Sequence, residues 1–348
     1  EIQSIWEIPG RASLLEQNQK ATCYMSNSER LTFVAPGDDP PQLQGSAHAD
    51  RLEPHGDLVM HLDRPSSYEE KIERVSNADI IINTRGAIDW PGEALRALPN
   101  LKMITTCSIG TDMIDLATAS ELGIVVSNQP GRTAPTVAEH MFGLMFAVAK
   151  RAAYQTAELK QVRWGRVINI HLQGKTVGVV GTGNVGAEFA RLANAIGMKV
   201  LAWTFHPSDE RGQRLGVEYV ELDELLTRSD VVSLHVASSD QTRGMIGERE
   251  LTLMKPEAIL VNGARGDVVD TNALATLLNS GHLAGAAVDV FDEEPITPDN
   301  PLLTCEQVVL TPHMADMTPE GIEALNEGAV DNVLAYLAGN PQNVVASS

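Results

Sequence analysis

From residue 31 onward, short apolar runs alternate with longer polar stretches whose composition suits helices. The first series of runs falls at 31–35, 57–60, 80–82, 102–106 and 124–126. Apolar runs of this length, each followed by a helix-compatible segment, predict repeated βα units and a parallel sheet buried on both faces. Over 135–152 the period changes. Val137, Met141, Leu144, Met145 and Val148 recur at helical spacing and predict one long helix. A second series of βα units follows, with strands predicted near 176–180, 199–203, 217–220, 231–235, 258–262, 285–290 and 307–310. An amphipathic helix over about 319–337 closes the pattern, with Ile322, Leu325, Val330, Val333 and Leu337 as its predicted buried face. Residues 1 to about 30 show no period and predict no element.

Two such series call for two cores, and 348 residues of which 43% are hydrophobic can fill them. The expected class is α/β. Charge narrows the partners: 46 acidic against 26 basic residues give a formal net charge of −20, which opposes approach to a nucleic-acid backbone or an anionic membrane. Neither partner is expected. No apolar run approaches the roughly 20 residues of a membrane helix, and the opening EIQSIWEIPG lacks the basic-then-apolar order of a signal peptide. Cys23, Cys107 and Cys305 are odd in number, widely separated and without a CxxC spacing. They predict reduced thiols in a cytoplasmic protein, with no disulfide framework and no metal site.

The strand predicted at 176–180 runs directly into GTGNVG, which begins a helical pattern and is followed by a second strand. In a GxGxxG turn, Gly181 permits the tight bend, Gly183 lets the backbone approach a pyrophosphate, and Gly186 lets helix and strand pack closely. The N–H groups of Asn184 and Val185 at the helix start offer partial positive charge to the phosphates. Strand, glycines, helix and strand in this order predict a Rossmann-type dinucleotide site. At the end of the second strand, where an Asp or Glu would bind the ribose 2′-hydroxyl of NAD, stand Thr204, Phe205, His206 and Pro207. NAD(P)(H) is therefore the expected cofactor, with the choice between NAD and NADP open. His206 and Arg211 either help a 2′-phosphate or merely solvate the loop.

Three further strand ends carry candidate chemistry: NGARGDVVD from Asn262, AAVDVFDEEP from Ala286, and VVLTPH ending at His313. Ligands of open α/β sheets bind beyond the carboxyl ends of strands, where Arg265, Glu294 and His313 fall. Together with SIGTDMIDL from Ser108, PTVAEHMFGL from Pro135, LQGKTVGVVGTGNVG, TRGMIG from Thr242 and LMKPEAILVNGARGDVVD, these segments resemble the D-isomer-specific 2-hydroxyacid dehydrogenase family over about residues 75–340.

That resemblance implies a nucleotide-binding domain, about 135–316, inserted into a flavodoxin-like substrate domain made of 1–134 and 317–348. It implies hydride transfer between NAD(P)(H) and a small 2-hydroxy or 2-oxo acid, and a homodimer. Residue by residue, Arg265 would grip the substrate carboxylate with its planar fork, His313 would exchange a proton with the substrate oxygen, and Glu294 would hold the imidazole and favour its charged form. Backbone N–H groups around Ile109 and Gly110 would complete the carboxylate cradle. Asp289 would fix the nicotinamide amide, while Thr136, Asn262, Gly263 and Ala264 would line the cofactor cleft. The same scaffold also carries phosphite-type oxidation and dinucleotide-sensing corepressors, which stand as alternatives. Glu294, where formate enzymes place Gln, disfavours formate. One departure falls at Ala237 and Ser238, where the family often has Pro and Leu. Arg85 in INTRGAID offers a second anion anchor, against the ordinary alternative of an exposed surface arginine.

Overall fold

The computed structural model describes residues 30–86 and 88–346. The opening segment and Cys23 lie outside them. Two sheets organise the chain. The first is built from β1 (Leu31–Ala35), β2 (Gly56–Met60), β3 (Ile80–Asn83), β4 (Met103–Thr106) and β5 (Val125–Ser127). The second contains β6 (Thr176–Val180), β7 (Lys199–Trp203), β8 (Glu218–Tyr219), β9 (Val231–Leu234), β10 (Ile259–Asn262), β11 (Gly285–Val288) and β12 (Val308–Leu310). In the first sheet the order is β2-β1-β3-β4-β5, completed by β13 (Val344–Ala346) at the far edge. In the second it is β8-β7-β6-β9-β10-β11-β12. These are the flavodoxin-like and Rossmann orders, and each reverses beside its first strand to open a crevice at the carboxyl edge. The central strands are buried along their whole length, which is why they read as unbroken apolar runs.

Two stretches carry the chain between the sheets. The bridging helix Ala134–Ala149 follows β5 but buries Met141, Met145 and Val148 in the core of the second sheet, packed on β10 and β11. After β12 the chain returns, and the terminal helix Pro319–Leu337 buries Leu325, Ala329, Val330 and Val333 against Phe33, Ile80, Ile82 and Met103 of the first. The buried face of this helix differs from the predicted one. Ile322 and Leu337 are partly exposed, whereas Asn326 and Asn332 are buried. The two asparagines tolerate burial because their amides donate to the carbonyls of Gln42 and Asn128.

β13 has no counterpart in the predicted elements. It pairs antiparallel with β5, through Val344 opposite Ser127, and a three-residue strand has too little alternation to be read without the edge it completes.

Candidate active site

Several helices close their first turn on themselves. Ser67, Asp115, Ser208, Asp270 and Thr318 each accept a hydrogen bond from the N–H three residues on. The helix Asn184–Ala195 does not: Gly183 at its cap has no side chain to offer. Its leading N–H groups stay uncommitted at the point where the glycine turn opens. Each glycine of that turn has a separate steric reason. Gly181 has φ +92°, and a Cβ there would lie 2.8 Å from the His235 carbonyl. At Gly186 a Cβ would fall 1.9 Å from the Gly181 carbonyl, whereas at Gly183 it would meet nothing within 4 Å. The turn is thus closed below and open above, the shape a pyrophosphate needs to reach the Asn184 and Val185 amides. Thr204 stands partly exposed beside it, since Gly181 donates to the carbonyl of Trp203, the last residue of β7. Thr136, in the first turn of the bridging helix, is also partly exposed.

Past β10 the chain makes a self-braced turn. The Asn262 amide donates to the Arg265 carbonyl at 3.0 Å and accepts from Ala264 N–H at 3.1 Å. Gly263 is pressed on Met141, whose sulfur would lie 2.4 Å from an added Cβ. This bracing holds Asn262 and Ala264 inside and presents Arg265. Its Nη1 donates to the Ala264 carbonyl at 2.8 Å, and its Nε reaches across to Asp112 Oδ2 at 2.9 Å. Nη2 crowds Gly110, where an added Cβ would lie only 2.0 Å from it. The N–H groups of Ile109 and Gly110 donate to nothing among the described residues. Their carbonyls, by contrast, are fixed by Asn128 Nδ2 and Ser108 Oγ, which orients the loop. Arg265 on the second sheet and the Ile109–Gly110 backbone on the first therefore face each other across the cleft.

His313 follows β12 with φ +49°, a left-handed conformation that costs a non-glycine residue about 1–2 kcal/mol. Asp289 stabilises it from below: its buried carboxylate accepts from Thr311 Oγ1 at 2.6 Å and from the N–H groups of Met314 and Ala315 at 3.1 and 3.2 Å. Burial pushes the Asp289 carboxyl up, but hydrogen bonds from His140, Thr311 and Met314 outweigh it and hold the group below its ordinary range. Asp289 is thus committed to bracing the histidine loop, a role its sequence position did not indicate.

The imidazole Nδ1 lies 2.7 Å from Glu294 Oε2, while Glu294 Oε1 accepts from Phe291 N–H at 2.9 Å. The hydrogen bond to Glu294 raises the His313 pKa above its usual 6.5, against burial and the positive charge of Arg265. On the other side, burial raises the Glu294 carboxyl, but the bond from His313 and the nearby charges leave it lower than normal. With Nδ1–H donating to the carboxylate, Nε2 is left without a partner among the described residues.

Arg85 is neither exposed nor free. Its side chain is 10% accessible, Nη1 pairs with Asp316 Oδ1 at 3.1 Å, and Nη2 touches the Met317 sulfur. Asp112, which pairs with Arg265, and Asp316 and Met317, which engage Arg85, are contacts that sequence reasoning missed. Asp112 lies within the SIGTDMIDL segment, but nothing there announces a partner 153 positions away.

Residues 142–315 match the model for the D-isomer specific 2-hydroxyacid dehydrogenase, NAD binding domain. A glyoxylate reductase of Korarchaeum cryptofilum is 38% identical over 304 residues, covering 85% of this chain and 91% of the relative. A glycerate dehydrogenase of Methylorubrum extorquens is 37% identical over 287 residues, 80% of this chain and 88% of the relative. Among solved structures, D-lactate dehydrogenase from Aquifex aeolicus, complexed with NAD and lactic acid, is similar with a TM-score of 0.78 at 30% identity, over 92% of this chain and 100% of that one.

Proposed function

The chain belongs to the D-isomer specific 2-hydroxyacid dehydrogenase family, nicotinamide-dependent oxidoreductases of 2-hydroxy and 2-oxo acids, and we propose that it reduces short 2-oxo acids through Arg265, His313 and Glu294. The observation that carries this reading is the 2.7 Å bond between His313 and Glu294, on the same wall of the cleft as Arg265, with the free amides of Ile109 and Gly110 on the wall opposite. Arg265 and those amides hold the substrate carboxylate. His313 donates a proton from Nε2 to the carbonyl oxygen during reduction and takes it back during oxidation. Glu294 keeps Nδ1 protonated and the ring turned towards the substrate. When bound, the nicotinamide supplies the hydride to C2 or receives it. Negative charge developing on the substrate oxygen then meets two preplaced cationic groups, Arg265 and protonated His313. The glycine turn, the Asn184 and Val185 amides, Thr136, Thr204, Asn262, Gly263 and Ala264 form the dinucleotide cleft, with Asp289 at its base.

Small substrates fit for a physical reason. On the first sheet, Arg85 spends Nη1 on Asp316 and Nη2 on the Met317 sulfur, so we do not assign it a second acidic group of the substrate. The relatives named for glyoxylate and glycerate point the same way. Purified protein given NADPH or NADH should turn over glyoxylate, hydroxypyruvate or pyruvate and discriminate against 2-oxo diacids. Cofactor binding without turnover on any 2-oxo acid, and none on phosphite in the oxidative direction, would favour a dinucleotide-sensing role.

The protein works as a homodimer, for a reason on its surface. Val162, Trp164 and Ile168 are 92%, 80% and 96% exposed, clustered in the irregular stretch after the helix Ala152–Lys160. Three large apolar side chains in seven residues mark a surface that a second copy covers. Among the described residues no helix is long and apolar enough to cross a membrane. The free thiols of Cys107 and Cys305, buried in two separate cores, suit the reducing cytoplasm.

A further inference from the structure

The loop after β9 carries the departure from the family pattern at Ala237 and Ser238, and the second of these has a partner that an apolar residue could not engage. Ser238 Oγ donates to Asp267 Oδ2 at 2.7 Å, and Arg243 Nη1 donates to the same oxygen at 2.8 Å. Asp267 lies just past Arg265, in the single turn Gly266–Val268. Both donors to its carboxylate come from the β9 loop, and Oδ1 is buried with no donor among the described residues. The side chain therefore braces the contact between two loops and not its own turn.

Position gives this contact its consequence. β9 lies between β6 and β10 in the sheet. At its end the His235 carbonyl and the Val236 side chain press on Gly181, where an added Cβ would lie 2.8 and 2.9 Å from them. Thr242 then folds the loop into a compact unit, its hydroxyl donating to the Ala237 carbonyl at 2.6 Å and accepting from Ser239 N–H at 2.8 Å. Main-chain bonds tie the far end of the loop to the Arg265 turn: Gly244 N–H donates to the Asp267 carbonyl at 2.7 Å, and Ile246 N–H to the Val268 carbonyl at 3.1 Å. Between these anchors the unit is free to swing about Gly244, which is left-handed at φ +63° with open space around it. The bond from Ser238 to Asp267 removes that freedom. One side of the loop thus rests on the dinucleotide turn, and the other is pinned to the turn that presents Arg265.

We propose that Asp267 is a positioning residue which, through Ser238, fixes the spacing between the glycine turn that holds the dinucleotide and the arginine that holds the substrate carboxylate. This rests on the dehydrogenase reading for the reaction itself. A hydride crosses only when its donor and acceptor carbons are close and aligned, and a misplacement of about 1 Å costs on the order of a hundredfold in rate. Arg243 contributes less than Ser238, because its side chain is 62% exposed and an exposed ion pair adds little. Loosening the loop slows the transfer while leaving each ligand its own contacts.

Steady-state kinetics test it, with glyoxylate, hydroxypyruvate or pyruvate, whichever is turned over fastest, and the better of NADH and NADPH. Fluorescence titration of that dinucleotide and a thermal melt accompany each variant. Ser238→Ala and Asp267→Ala should each lower kcat about fivefold to fiftyfold, with the dinucleotide Kd changed by less than about twofold. Ser238→Thr keeps the hydroxyl and should retain most of the rate. The double variant should be no more than about twofold slower than the slower single one, since both substitutions remove one interaction. Arg243→Gln should cost less than about threefold. Folded Ser238→Ala and Asp267→Ala proteins with wild-type kcat would overturn the inference and leave the dehydrogenase reading standing. Losses that multiply in the double variant would also overturn it, as would losses that follow the thermal midpoint and are no smaller in Ser238→Thr than in Ser238→Ala. Wild-type protein inactive on every 2-oxo acid would remove the reaction, and both readings with it.

Discussion

Arg265 spends its donors in different directions, and the way it does so fixes what substitution should cost. Nε is held by Asp112 from the first sheet and Nη1 by its own loop, while Nη2 points along the Gly110 backbone. Arg265→Lys keeps the charge but loses the fork, so kcat/KM should fall on the order of tenfold to a thousandfold, about 1.4 to 4 kcal/mol of transition-state binding. Dinucleotide affinity should stay unchanged. Asp112 pairs with Arg265, and on the proposed function it would act through that residue. Asp112→Asn should lower kcat/KM in the wild-type background but add less than about twofold to Arg265→Lys, a non-additivity expected of residues in direct contact. Additive losses would make Asp112 an independent structural residue, and a collapse of cofactor binding in Arg265→Lys would misplace the substrate site. The placing of Arg265, Glu294 and His313 past strand ends was legible because each follows an apolar run that had to be a strand. Asp112, and the pairing that removes Arg85 as an anion anchor, were not. Both depend on loops from different sheets meeting in space, which no local pattern records.

At the scale of elements, periodicity located most strands to within a residue or two because central parallel strands are apolar on both faces. It was weakest at edges. β8 has shrunk to Glu218–Tyr219 and β13 rests on β5 alone. The stretch after Lys160 shows the reverse case: apolar residues with no element of their own and no core to enter. Ile168→Asp places a charge in that surface while disturbing no buried contact. The thermal midpoint should change little, and light scattering should report a shift from dimer towards monomer at micromolar concentration. A wild-type protein that is already monomeric would assign the exposed segment no second copy.

For the whole molecule, the two strand orders and the returning terminal helix bring the carboxyl edges of both sheets to one cleft. The sequence carried that organisation as two βα series. It could not carry the contacts that hold the edges together, Arg265 with Asp112 and Arg85 with Asp316. On the proposed function, the chemistry these contacts frame is a proton exchange at His313 matched to a hydride transfer, so the two directions of reaction should depend on pH in opposite senses. Reduction needs the protonated ring and is lost as pH rises through the His313 pKa, which the bond to Glu294 holds above its usual 6.5. Oxidation needs the neutral ring and appears over the same interval. Glu294→Gln removes the raising interaction and leaves burial, which lowers the pKa. The decisive measurement is kcat/KM in both directions from about pH 5 to 9 for wild type and Glu294→Gln, with folding checked by thermal melt. Both profiles should move to lower pH together in the variant, the reductive limb failing earlier and the oxidative limb opening earlier. Two folded proteins with superimposable profiles would contradict the His313–Glu294 mechanism.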